Sequence, residues 1–270
     1  MLISFRGRKI HYSESGTGKA IVLIHGFLET MEIWESFSNQ LSKNFRVLGV
    51  DIPGHGFSEA CYQVNSMEIL AENIRELLDS LRIEKAFLIG HSMGGYVTLA
   101  FLDLFPGYLS GYSLFHSQPF SDTTDTIERR KQNIAIVERG EKDKMIPDFI
   151  KGLYSSENSD KMKSAIDRSV SIAARTNDKI IVADLKGMLA RPDRSKLIEE
   201  GRVPFLWILG KMDNHIDYEA MQQKVKLPVN ARVVVLNNSG HMGFIEEEEE
   251  SLKVVTDFVN TIYQDTVSHI

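Results

Sequence analysis

The stretch Phe87–Ala100, "FLIGHSMGGYVTLA", constrains the chain more than any other part of it. It opens apolar without alternation, as a strand covered on both faces must be, breaks into Gly-His-Ser-Met-Gly-Gly, and resumes apolar at helical spacing until Phe105, before Pro106. A strand that turns at once into a buried helix needs a parallel sheet around it, and the remaining apolar runs supply one. "KAIVLIHG" (Lys19–Gly26), "FRVLGVDIP" (Phe45–Pro53), "KAFLIGHS" (Lys85–Ser92), "YSLFHS" (Tyr112–Ser117), "VPFLWILGK" (Val203–Lys211) and "ARVVVLNN" (Ala231–Asn238) are strand candidates, alternating with helical patterns such as Ser66–Leu81. The amino-terminal "LISFRGRKIHYSES" alternates and reads as an antiparallel edge pair. The expectation is an α/β protein: a mostly parallel twisted sheet of about eight strands with helices on both faces.

That pattern breaks after Ser117. Up to about Asp178 the chain is polar, charged and helical in period, and "TTDTIERRKQNIAIVERG", "MIPDFIKGLY" and "SDKMKSAIDRSVSIAAR" each read as an amphipathic helix. The segment is too long for a simple loop, so residues 118–178 are expected to form a helical cap inserted in a core made of 1–117 and 179–270. With 270 residues, 43% hydrophobic and 25% charged, one well-cored domain bearing an insertion is expected rather than two domains.

Net charge narrows the partners. A formal −6 gives no basic field for a phosphate backbone, so no nucleic-acid partner is expected. "MLISFRGRKI" lacks a secretory signal's apolar run and small-residue cleavage site, and no segment approaches the roughly 20 apolar residues of a membrane span. A soluble, cytoplasmic chain with no membrane partner is expected. The single cysteine, Cys61, excludes an intrachain disulfide and a thiolate metal cluster, and reads as a surface-loop or packing thiol. The acidic run Glu246–Glu250 reads as the solvated first turn of the last helix, where carboxylates suit the positive end of the helix dipole.

Within this frame, Gly90-His91-Ser92-Met93-Gly94 matches the nucleophile-elbow pattern G-x-S-x-G between a strand and a helix. The glycines permit close approach of strand and helix while the serine takes an unfavourable backbone conformation that exposes its hydroxyl. A serine hydroxyl is a poor nucleophile, so a base and an orienting acid are required. His241 follows the strand candidate Ala231–Asn238 and Asp213 follows Val203–Lys211, both at the carboxyl edge of the sheet where Ser92 also lies. The chain order Ser92, Asp213, His241 is the one this architecture uses. The N–H groups of Met93, at a helix start, and of Phe27, in the loop after "LIHG", are candidate oxyanion donors. "DIPGHGFS" (Asp51–Ser58) reads as a structural turn beside them, and His116 and His215 read as satisfied hydrogen bonders.

These motifs, together with Gly210-Lys211-Met212-Asp213 and Gly240-His241, resemble the α/β-hydrolase superfamily, specifically its cap-bearing, esterase-like serine hydrolases, over nearly the whole chain. The resemblance implies the α/β-hydrolase fold with a helical cap, and cleavage of a small-molecule carboxylic ester through an acyl-enzyme by a Ser-His-Asp triad. It implies no metal and no organic cofactor. Epoxide- and halide-processing relatives carry an aspartate at the elbow, and Ser92 sets this chain apart from them. Two alternatives stand beside the esterase reading. One is a receptor or signalling module that keeps the triad. The other is a methyl esterase for carrier-protein-bound acyl chains, suggested by Arg129, Arg130, Lys131, Lys142 and Lys144 in the cap, with Glu138, Glu141 and Asp143 interspersed. Neither the natural substrate nor the oligomeric state can be read from the sequence.

Overall fold

The computed structural model describes residues 1–60 and 63–267, so the reading of Cys61 lies outside the described residues. Eight strands form one sheet: β1 Leu2–Phe5, β2 Arg8–Ser15, β3 Ala20–Ile24, β4 Arg46–Val50, β5 Ala86–His91, β6 Leu109–Phe115, β7 Phe205–Gly210 and β8 Ala231–Leu236, in the order β1-β2-β4-β3-β5-β6-β7-β8. The pairs β1–β2 and β2–β4 are antiparallel; every later pair is parallel. Strands β3 and β5 are buried along their whole length, which explains their unbroken apolar runs.

Eleven α-helices accompany the sheet among the described residues. Before β6 these are α1 Glu35–Leu41, α2 Met67–Ser80 and α3 Met93–Leu104. Between β6 and β7 lie α4 Thr124–Glu138, α5 Lys142–Lys151, α6 Lys163–Ala174, α7 Asp178–Ala190 and α8 Ser195–Glu199, followed by α9 Tyr218–Lys224, α10 Gly243–Glu246 and α11 Glu248–Val267. Helix α2 begins where Ser66 caps it by accepting the Ile69 N–H, and it buries Leu70, Ile74, Leu77 and Leu78 at helical spacing. It packs on α3, and α11 packs with α1, so helices cover both faces of the sheet. The expected fold class is therefore the observed one.

Two features were not foreseen. Helix α7 has no counterpart among the sequence-based helices; its face buries Ile180, Ile181, Leu185 and Met188. The acidic run is not one solvated turn. The helix breaks at Glu247, between α10 and α11, and Glu246 turns inward to accept four N–H groups, those of Gly240, Met242, Ser155 and the Asn158 side chain. No helix among the described residues is long and apolar enough to cross a membrane.

The register places the catalytic edge. Ile24 pairs with Gly90, His91 with Phe115, and Gly210 with Leu236. The carboxyl ends of β3, β5, β6, β7 and β8 thus lie side by side, and the loops carrying Phe27, Ser92, His116, Asp213 and His241 leave from one rim.

Candidate active site

Ser92 holds φ +48° and ψ −114°, a conformation costing on the order of 1–3 kcal/mol that only a well-determined surround maintains. The surround is visible. The Ser92 N–H donates to Phe115 O (3.1 Å), and Ser92 O accepts from the Ser117 hydroxyl (2.7 Å) and the Gly95 N–H (2.9 Å). The two elbow glycines are there because a side chain would not fit. A Cβ on Gly90 would lie 2.2 Å from Gly94 O, and one on Gly94 would lie 2.3 Å from Ile24 O. Helix α3 therefore starts directly against the end of β3. Ser92 occupies the N-cap position yet makes no side-chain cap bond, so its Oγ is not consumed by the helix it precedes.

His241 lies 3% exposed on the loop after β8, and its Nδ1 stands 2.7 Å from Asp213 Oδ2. The Asp213 Oδ1 accepts the N–H groups of His215 (2.7 Å) and Ile216 (3.1 Å), which fixes the carboxylate. Burial pushes Asp213 up, but His241 and His116 more than offset this and hold it far below the usual carboxylate range. Burial pushes His241 down, and the Asp213 charge and hydrogen bond outweigh that, so its net shift is upward.

A second imidazole shares this acid. His116, buried and at φ +47°, accepts the Gly243 N–H on Nε2 (3.1 Å), so its Nδ1 carries the proton and points at Asp213 Oδ2, 3.6 Å away. Burial lowers His116 to about 4, which keeps it neutral. The satisfied-hydrogen-bonder reading of His116 thus understates its place beside the candidate acid. A further chain joins three loops: Glu29 Oε2 accepts the Gly26 N–H (2.6 Å) and faces His91 Nδ1 (2.9 Å), while His91 Nε2 faces His241 O (2.8 Å). Burial raises Glu29, yet the His91 ring and the Gly26 N–H bring it below its ordinary value. His25 accepts the Ile52 N–H (3.2 Å), and Asp51 accepts the Met31 and Phe57 N–H groups, so the Asp51–Ser58 turn is tied to the Phe27 loop as a structural element.

Ser92, His241 and Phe27 line one cavity of about 380 Å³, with Tyr96, Phe149 and Leu153 among the other walls. Met93 is the first residue of α3, directly after Ser92, and its side chain is fully buried. All five candidate residues are thereby gathered at one rim. Sequence reasoning missed His116 as a neighbour of Asp213, Glu29, His91, Glu246 and the cavity position of His215. Of these, only His116 carried a usable signal, its place at the carboxyl end of a strand.

Residues 19–135 match the family model described as the alpha/beta hydrolase fold. A 2-hydroxy-6-oxononadienedioate/2-hydroxy-6-oxononatrienedioate hydrolase of Paraburkholderia phymatum is 26% identical over 275 residues, covering 93% of this chain and 91% of its own. A thermophilic esterase from Thermogutta terrifontis superimposes with a TM-score of 0.89 at 24% identity over 97% of both chains. The enol-lactonase from Burkholderia xenovorans LB400 superimposes at 0.87, with 22% identity over 96% of this chain and 100% of its own. Sheet order, elbow and structural likeness agree, and the chain has the α/β-hydrolase fold.

Proposed function

We propose that this protein hydrolyses small carboxylic esters through an acyl-enzyme on Ser92. One observation carries the reading: an elbow serine at φ +48° opens onto the same cavity as His241, whose remote ring nitrogen is bonded to buried Asp213. With Nδ1 committed to Asp213, His241 has Nε2 free to take the Ser92 proton as Oγ attacks the ester carbonyl carbon. The oxygen gaining charge meets the Met93 and Phe27 N–H groups. The imidazolium then returns its proton to the departing alkoxide and the alcohol leaves. Water attacks the acyl-serine with His241 again as base, which frees the carboxylic acid and the serine. His116, neutral with its proton toward Asp213, supports the carboxylate in its ionised state.

The relatives include hydrolases of varied substrates, one named for a dienedioate. A carrier-protein esterase finds less support, because the basic residues offered for docking are mostly neutralised in place. Arg130 pairs with Asp122, Lys131 with Glu128, Lys142 with Asp178 and Lys144 with Glu141. A panel of p-nitrophenyl esters from acetate to octanoate tests the proposal. Turnover in the wild type that disappears in folded Ser92→Ala protein is the expected result; equal turnover by that variant would end the proposal.

A further inference from the structure

We propose that the cavity at Ser92 selects esters whose far end carries a carboxylate, held by Arg129 and Lys224; this rests on the ester-hydrolase reading and names its substrate class. The chain as a whole carries a formal charge of −6, so its mean field repels anions. Its cavity is lined the other way, by the three cations Arg129, Arg130 and Lys224 against the single carboxylate Asp122. That carboxylate is already committed: Arg130 Nε lies 2.7 Å from Oδ2, and buried Arg191 lies 2.7 Å from Oδ1. Asp122 accordingly sits below its ordinary value, since the two guanidinium groups outweigh its burial.

Arg129 and Lys224 are left over. Among the described residues neither has a carboxylate partner; Lys224 Nζ instead lies 5.7 Å from the centroid of the Phe120 ring. One cation comes from α4 in the inserted helices, the other from the end of α9 in the core, and both face the same cavity. Both side chains keep an exposed face, and an anion entering the cavity finds them on its wall with only the already paired Asp122 as a competing carboxylate. Arg129 offers a carboxylate a planar, two-toothed donor, Lys224 a point charge.

The position of Arg129 sets the orientation. With Asn133, Phe149 and His215 it also borders an outer groove, so it stands where the cavity meets that groove. Phe27 and Leu153, which line this cavity and not the outer groove, are among its apolar walls. An apolar chain with an ester at Ser92 and a carboxylate toward the groove matches this distribution, which describes a monoester of a dicarboxylic acid.

Monomethyl esters of succinate, adipate and suberate are compared with their dimethyl esters by methanol release at low salt. For at least one length, kcat/KM for the monoester should exceed that for the diester by about tenfold, and added salt should reduce the preference. In Arg129→Gln/Lys224→Gln protein of unchanged circular dichroism, that ratio should fall about tenfold, through KM. Preference for the diester at every length, or equal losses on both esters, would overturn the proposal. Calorimetric titration of Ser92→Ala protein with adipate needs no turnover. Saturable heat that vanishes when the two cations are also replaced is expected; absent or undiminished heat refutes the anion site. Failure of the hydrolase reading would show separately, as absence of Ser92-dependent p-nitrophenyl acetate cleavage.

Discussion

At the scale of single residues, two neighbouring aspartates are told apart by what they touch. Asp213 holds His241 at 2.7 Å, whereas Asp217 accepts the Glu219 and Ala220 N–H groups at 3.0 Å and caps α9. Asp213→Asn should cost about 10⁴-fold in turnover by presenting the wrong donor to His241. Asp217→Asn, an equally good cap residue, should leave kcat near wild type, as steady-state kinetics on both variants will show. The same contact sets the pH profile. Because Asp213 raises His241, the base is protonated at low pH and activity should rise through a midpoint above 6.5, the ordinary histidine value. In any residual activity of Asp213→Asn, the limb should move to lower pH, since the anion that favoured the imidazolium is gone. Ser92, Asp213 and His241 were legible in the sequence because each directly follows a strand whose apolar run marks its end. Glu29 and His91 were not, because their partners lie 62 and 150 residues away and only the folded sheet brings them together.

Whole elements are held at the site by buried backbone contacts. Glu246, in α10, accepts the Gly240 and Met242 N–H groups on either side of His241 with one oxygen, and the Ser155 N–H and Asn158 amide with the other. The His241 N–H itself donates to Leu153 O at 2.7 Å. The segment after α5 is thus tied to the histidine loop at Leu153–Ser155. Glu246→Ala should cost about 1–3 kcal/mol in urea unfolding, since buried N–H groups lose their acceptor, and should lower kcat as well. Glu249→Ala, on an exposed turn of the same acidic run, should do neither. A run of five acidic residues gives no hint of which one turns inward, because that choice is made by the orphan N–H groups of a loop elsewhere. The elbow is the opposite case. Gly94→Ala would press a methyl against two carbonyls at the end of β3 and just beyond it, Ile24 O at 2.3 Å and His25 O at 2.8 Å, and the G-x-S-x-G spacing announced that crowding in advance.

Across the molecule, the mostly parallel sheet followed from alternation of apolar runs, while the strand order and the docking of the helices between β6 and β7 did not. Helix α7 is seated by polar contacts invisible to periodicity: Asp184 Oδ1 accepts from the Asn65 amide at 2.7 Å, and Asp184 Oδ2 lies 3.1 Å from His55 Nε2, all buried. Burial lowers His55, but Asp184 reverses the shift and raises it overall. The pair therefore adds stability that is full below the unfolded histidine pKa, about 6.5, and fades as pH climbs through the raised folded value. Asp184→Ala should destabilise by about 3–5 kcal/mol in urea unfolding at pH 6, since it leaves His55 buried without its counter-charge.

Among the apolar residues of α4 and α5, Phe149 lines the cavity and packs edge-on against Phe27 at 5.7 Å, whereas Val137, Ile146 and Ile150 are buried in the core cluster. Phe149→Ala should therefore raise kcat/KM for octanoate relative to acetate, and an unchanged ratio would remove Phe149 from substrate selection.

The proposed mechanism has a direct chemical signature, an acyl group on one named oxygen. Protein mixed with p-nitrophenyl butyrate, quenched in acid within the first turnovers, digested and weighed by mass spectrometry should carry one butyryl group on the peptide containing Ser92, alongside a burst of p-nitrophenol. Butyrylation elsewhere in an active sample, or full activity in folded Ser92→Ala protein, would contradict it.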